Sequence, residues 1–125
     1  MISIVDDDES LREALTSLMK SLGYAAVAFA CAEDFLKSNR RDRTSCLITD
    51  MQMPGMSGLE LHDNLVASGK PIPTILISAY PDERVRSRAL QAGILGYLTK
   101  PFNEDSLLKH IRSALEPDAP ADGGA

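Results

Sequence analysis

The chain has 125 residues, 44% hydrophobic and 25% charged, proportions of a soluble globular protein long enough to bury one core. A formal net charge of −5 without a basic run lacks the electrostatic footprint of a nucleic-acid binder. No apolar run approaches the ~18 residues of a membrane span, and no signal peptide is expected ahead of the first apolar run.

Two cysteines, Cys31 and Cys46, are too few for a disulfide framework and fit no metal-ligand spacing. Both are read as small core residues in a reducing, cytoplasmic setting. Ile2 to Val5 is a short apolar strand that ends in Asp6-Asp7-Asp8-Glu9. Leu11, Leu15, Leu18 and Leu22 then recur at helical spacing, with Asp8 as N-cap and Gly23 as the stop. Tyr24 to Ala30 reads as a second strand, Ala32 to Ser38 as a short helix, and Asn39 to Ser45 as a loop. Cys46 to Asp50 is an apolar run climbing to a single carboxylate, and Pro54-Gly55 halts regular structure after it.

Ser57-Gly58-Leu59-Glu60 matches a capping box and opens a third helix with Leu61 and Leu65 inside, ended by Gly69. Pro73 to Ser78 is the fourth strand. Pro81 is expected in the first turn of a fourth helix that buries Val85, Ala89 and Ala92 and stops at Gly93. Gly96 to Thr99 is the fifth strand. Lys100-Pro101-Phe102 breaks the chain, and Asn103 caps a last helix carrying Leu107, Leu108, Ile111 and Leu115. Residues 1–117 are expected to form one domain. Asp118 to Ala125, rich in Pro, Gly and Ala, is expected to begin a flexible linker. Strands that are nearly all apolar, alternating with helices, imply a doubly wound parallel sheet in a three-layer α/β/α sandwich.

In such a sheet the carboxyl ends of the strands share one edge, where ligands bind. That edge receives Asp6 and Asp7 from strand one, Asp50 from strand three, Ser78 from strand four and Lys100 from strand five. Three neighbouring carboxylates repel unless a cation joins them, and hard oxygen ligands suit Mg²⁺. Lys100 supplies a point charge and Ser78 a hydroxyl, both suited to phosphoryl oxygens. Asp50 stands alone at a central strand end and is the candidate nucleophile for an aspartyl-phosphate.

Taken singly, each residue has an ordinary reading. Asp8 is best read as a helix cap, and for Asp6 and Asp7 alone capping and metal binding weigh equally. A lone Lys100 is most often solvated, and a lone Ser78 is most often satisfied by backbone. Tyr97 reads as a partly buried aromatic, the methionines around Pro54 as loop packing, and His62 and His110 as surface residues. Joint placement at strand ends decides for the site.

From Ile2 to about Leu115 the chain resembles the receiver (CheY-like) domain of two-component response regulators. The resemblance is carried by Val5-Asp6-Asp7, Asp50 with Met53-Pro54-Gly55 and Ser57-Gly58, Ser78-Ala79, and Ala92-Gly93 through Gly96-Tyr97 to Lys100-Pro101-Phe102. Any one of these is weak, but their order and spacing are highly specific. The loop after Asp50 is most similar to FixJ/NarL-type transcriptional regulators.

The resemblance implies a flavodoxin-like fold with strand order 2-1-3-4-5. It implies that Asp50 accepts a phosphoryl group from a sensor histidine kinase or phosphotransfer protein. Asp6, Asp7, Asp50 and the backbone carbonyl of Gln52 would hold Mg²⁺, for which Mn²⁺ can substitute. Lys100, whose bond to Pro101 is often cis in this family, would contact the phosphoryl group. Ser78 and Tyr97 would form the switch, and Gln52 and Tyr80 would tune phosphoryl lifetime. The surface of helix four, strand five and helix five would serve readout and homodimerisation, with DNA reached only through a helix-turn-helix output domain beyond this chain. Such a domain accepts and slowly loses its own phosphoryl group and is not otherwise an enzyme.

The alternatives are an aspartyl-phosphate phosphatase, a degenerate receiver that acts by binding alone, and a flavin or nucleotide binder. A phosphatase would want an acid two residues after Asp50, where Gln52 stands. A nucleotide binder would want a Gly-rich first turn in place of Asp6-Asp7-Asp8.

Overall fold

The computed structural model describes residues 1–115; the expected domain limit at 117 and the linker over 118–125 lie outside the described residues. Five strands, β1 (Ile2–Val5), β2 (Ala26–Phe29), β3 (Cys46–Asp50), β4 (Thr74–Ser78) and β5 (Gly96–Thr99), alternate with five helices. These are α1 (Glu9–Ser21), α2 (Ala32–Lys37), α3 (Gly58–Ala67), α4 (Glu83–Gln91) and α5 (Glu104–Leu115). The strands form one parallel sheet in the order β2-β1-β3-β4-β5. Among the described residues no helix is long and apolar enough to cross a membrane.

Both faces of the sheet are covered, which is why its central strands carry few polar residues. On one face Ile2, Ile4, Ile48, Ile75 and Ile77 pack against Leu15 and Met19 of α1 and Leu107 and Ile111 of α5. On the other, Val5 and Leu47 meet Phe35 of α2 and Leu61 and Leu65 of α3. Beside them, Leu76 and Tyr97 form a smaller cluster with Leu59, Ala89 and Ile94. The methionines after Asp50 pack on these clusters, Met53 and Met56 on the second and Met51 on the third. Cys46 is buried and Cys31 half-buried, both as free thiols.

Local chemistry sets the helix ends. Asp8 caps α1 by accepting from the backbone N–H groups of Ser10 and Leu11. Ser57 and Glu60 complete the capping box of α3 reciprocally, at 3.1 and 2.8 Å. The chain turns after α1, α3 and α4 at Gly23, Gly69 and Gly93, each with positive φ.

Several expected boundaries shift. The second strand is shorter than Tyr24–Ala30, because Tyr24 N–H turns back to the Met19 carbonyl at 3.0 Å and closes the end of α1. Pro81 lies outside the fourth helix: the Asp82 carboxylate captures the N–H groups of Arg84 and Val85 and starts the helix at Glu83 instead. Leu22 and Ala92 are exposed C-cap residues rather than members of the buried stripes. The inner face of α1 is instead completed by Met19, which is fully buried. The loop at 39–45 contains a 3₁₀ turn, Arg41–Arg43.

Candidate functional site

The strand register brings the site together. Val5 pairs with Thr49, Asp50 with Ile77, and Ser78 with Thr99. One step further along each strand, Asp6 stands level with Asp50, and Lys100 follows Thr99 at the same edge. Gly58 lets α3 approach this edge: a Cβ there would stand 2.5 Å from the Asp50 carbonyl oxygen and 2.7 Å from Leu76 Cδ2. A backbone oxygen cannot yield, so the approach requires glycine.

Asp6, Asp7 and Asp50 each present a carboxylate oxygen within 4.8 Å of the others. Asp6 is buried and its Oδ1 accepts from Asp8 N–H at 2.8 Å, but its buried Oδ2 has no hydrogen-bond partner. Lys100 Nζ stands 3.8 Å from that oxygen and 3.7 Å from Asp50 Oδ2, too far for a close hydrogen bond to either. Burial pushes the Asp6 carboxyl up to about 6, helped by the charges of Asp50 and Asp7 and opposed by the Asp8 N–H and Lys100. Burial likewise raises Asp50, against the lowering effect of Lys100 and of the Gln52 N–H. Three crowded acids with one orphaned buried oxygen and a single part-exposed lysine fit a hard divalent cation.

Ser78 is fully buried, and its hydroxyl is fully engaged. Its Oγ has the Tyr80 carbonyl at 3.0 Å and Gln52 Oε1 at 3.2 Å as acceptors for its one proton, and accepts from Tyr80 N–H at 3.1 Å and from the Gln52 side-chain amide nitrogen at 3.0 Å. Gln52 also approaches the acceptor, its backbone N–H reaching Asp50 Oδ1 at 3.4 Å. The family resemblance pointed to the Gln52 carbonyl and to phosphoryl lifetime; the contact of its side chain with Ser78 had no sequence signal. Tyr80 contributes backbone to this network while its side chain is 67% exposed.

Tyr97 is buried rather than partly exposed, its ring packed among Leu59, Leu76, Ala89 and Ile94 and its hydroxyl without a partner. The Lys100–Pro101 bond is cis.

Of the two histidines, His62 contradicts the surface assignment. Only 3% of it is exposed, because it shares the α3 stripe with Gly58, Leu59 and Leu65. That spacing was visible in the sequence, but polarity outweighed it. His110 is half-buried, its ring lying where a Gly96 Cβ would come within 2.7 Å.

Residues 2–112 match the family model of the response regulator receiver domain. The chain belongs to that family. Response regulator protein TodT of Pseudomonas putida is 42% identical over 116 residues, covering 93% of this chain and 51% of TodT. Transcriptional regulatory protein FixJ of Bradyrhizobium diazoefficiens is 32% identical over 120 residues, 96% of this chain and 58% of FixJ. Among solved structures, response regulator StyR superposes with a TM-score of 0.86 at 42% identity, over 94% of this chain and 60% of that one. The N-terminal part of FixJ superposes at 0.81 with 33% identity, over 92% of both chains. The receiver thus spans about half the length of the curated relatives it matches.

Proposed function

We propose that this receiver is a phosphorylation-controlled switch in which Asp50 is the phosphoacceptor. The observation that carries the reading is the convergence of Asp6, Asp7 and Asp50 with Lys100 Nζ 3.7 to 3.8 Å from two of their carboxylates, while Arg12 is engaged on the Asp6 backbone carbonyl. An Asp50 carboxylate oxygen attacks the phosphorus of a phosphohistidine on a sensor kinase or phosphotransfer protein. The P–N bond breaks, and the imidazole nitrogen keeps the electron pair and takes up a proton.

Asp6, Asp7, Asp50 and the Gln52 backbone carbonyl would hold Mg²⁺, or Mn²⁺ in its place. When bound, the metal supplies the positive charge that neutralises the acids and the incoming phosphoryl oxygens. Lys100, already between Asp6 and Asp50, would contact those oxygens, and Ser78 would turn its hydroxyl toward them. Engagement of the phosphoryl group by Ser78, beside a Tyr97 ring already packed inward, would change the surface of α4, β5 and α5. That surface would serve dimerisation and, through a DNA-binding output domain, transcription in the cytoplasm. The chain turns over no substrate other than its own phosphoryl group. A phosphatase is disfavoured, because position 52 offers an amide rather than a general acid.

Intact mass after incubation with acetyl phosphate tests the reading. A single phosphoryl adduct that needs Mg²⁺ and is lost in Asp50→Asn is expected. An equal adduct in Asp50→Asn overturns it.

A further inference from the structure

We infer that the Gln52 side chain is a clasp that holds the Ser78 hydroxyl away from the acceptor until Asp50 is modified, so that Gln52 sets how readily the switch closes. The inference rests on the reading of Asp50 as phosphoacceptor and adds a residue to the switching step.

A serine hydroxyl has one proton to give and two positions at which to accept. All three are used at Ser78: the proton has the Tyr80 carbonyl at 3.0 Å and Gln52 Oε1 at 3.2 Å as its acceptors, and donors arrive from Tyr80 N–H and from Gln52 Nε2 at 3.1 and 3.0 Å. The other end of the same amide, Gln52 Oε1, accepts from Ala79 N–H at 3.4 Å and lies 3.2 Å from Ser78 Oγ. The amide therefore bridges the side chain of Ser78 to the backbone of the next residue. Among the described residues no hydrogen bond joins Ser78 to Asp50. To serve a phosphoryl oxygen, the hydroxyl must give up partners that it now has in full.

The clasp is also tied to the acceptor. Gln52 N–H lies on Asp50 Oδ1 at 3.4 Å, while the flanking Met51 N–H is fixed to the Ile77 carbonyl at 2.8 Å. One residue thus touches the carboxylate with its backbone and the switch hydroxyl with its side chain. A group added to Asp50 acts first on the residue 52 backbone, and a shift there draws the amide off Ser78. Tyr97 sharpens the assignment. Its ring is already buried, so ring position and hydroxyl engagement are separate steps, and the clasp governs only the second.

Two measurements test the clasp. The first needs no phosphoryl group: the side-chain amide resonances of Gln52 in the metal-free protein, with and without Ser78→Ala. A clear shift and faster amide exchange in Ser78→Ala are expected; unchanged resonances overturn the clasp. The second is the affinity for beryllofluoride with Mg²⁺, measured in wild type, Gln52→Met, Ser78→Ala and the double variant. Gln52→Met keeps length and volume but removes both hydrogen bonds. It should bind about two- to tenfold tighter, the range for losing the one neutral hydrogen bond to Ser78 from the competing state. The gain should vanish in the Ser78→Ala background. Unchanged affinity, or an equal gain without Ser78, overturns the inhibitory role. If beryllofluoride binds Asp50→Asn as well as wild type, the phosphoacceptor reading falls, and the inhibitory role falls with it. The resonances still report whether the contact itself exists.

Discussion

The two ends of one sheet treat buried polar groups in opposite ways. At the amino end Ser3 and Thr44 bury their hydroxyls 2.6 Å apart, Thr44 also donates to the Arg40 carbonyl at 2.7 Å, and Thr74 donates to the Ile72 carbonyl at 2.7 Å. Every one of these groups has its partner. At the carboxyl end Asp6 keeps an orphaned buried oxygen beside Asp50, with Lys100 at 3.7 to 3.8 Å from both. Burying unpaired polar groups is costly, and the fold avoids that cost at one end while accepting it at the other. The difference falls at the edge where the proposed cation and phosphoryl group would bind.

The largest test of this contrast is Asp6→Asn. The Asp6 carboxyl is raised from 3.8 to about 6, so the folded state holds its proton more tightly than the unfolded chain. Its contribution to stability is complete below pH 3.8 and is lost as pH rises through about 6. At pH 7 the metal-free protein therefore carries a penalty on the order of 2 to 3 kcal/mol, from a shift of about two pKa units. Asparagine keeps an acceptor for Asp8 N–H and removes the charge. Urea unfolding at pH 7 without metal should show Asp6→Asn more stable by about that amount, with the gain shrinking toward pH 4. Mg²⁺ should stabilise the wild type and leave the variant little changed. A destabilised Asp6→Asn protein, or one that still gains stability from Mg²⁺, would break the contrast.

The converse substitution at the amino end should cost stability. In Ser3→Ala, Thr44 loses one partner but keeps the Arg40 carbonyl, so a loss of about 1 kcal/mol is expected, unaffected by Mg²⁺. Denaturant unfolding with and without the metal measures both parts.

This asymmetry explains what was legible in the sequence. Parallel strands must end on a common edge, so the shared edge of Asp6, Asp50, Ser78 and Lys100 followed from the parallel reading, the strand order from the family resemblance, and the register sets Asp6 level with Asp50. Helix starts were less legible where two signals compete, as Pro81 and Asp82 do. A side-chain carboxylate that can capture two N–H groups wins over a fixed φ. The Gln52–Ser78 contact was not legible at all, because it depends on a rotamer joining residues 26 apart in sequence. At His62 the place in the α3 stripe outweighs residue type, and the imidazole is buried.

His62 offers the smallest effect, and one of opposite sign to that of Asp6. Burial lowers its pKa, with the exposed Asp63 carboxylate 3.9 Å away opposing this, and its Nδ1 has no hydrogen-bond partner. The folded state thus resists a proton that the unfolded chain accepts. The stability His62 contributes is complete above the ordinary imidazole value of 6.5 and is lost as pH falls through the lowered folded value. His62→Gln fills much of the same space without titrating. Comparing the two proteins at each pH cancels the Asp6 and Asp50 contributions, which both share. The penalty of His62→Gln in urea unfolding should therefore be greatest near pH 7.5 and shrink toward pH 5. A penalty that is flat or grows on acidification would mean that the imidazole charges freely in place, and that α3 tolerates at its core the kind of unpaired charge that the sheet tolerates only at its carboxyl edge.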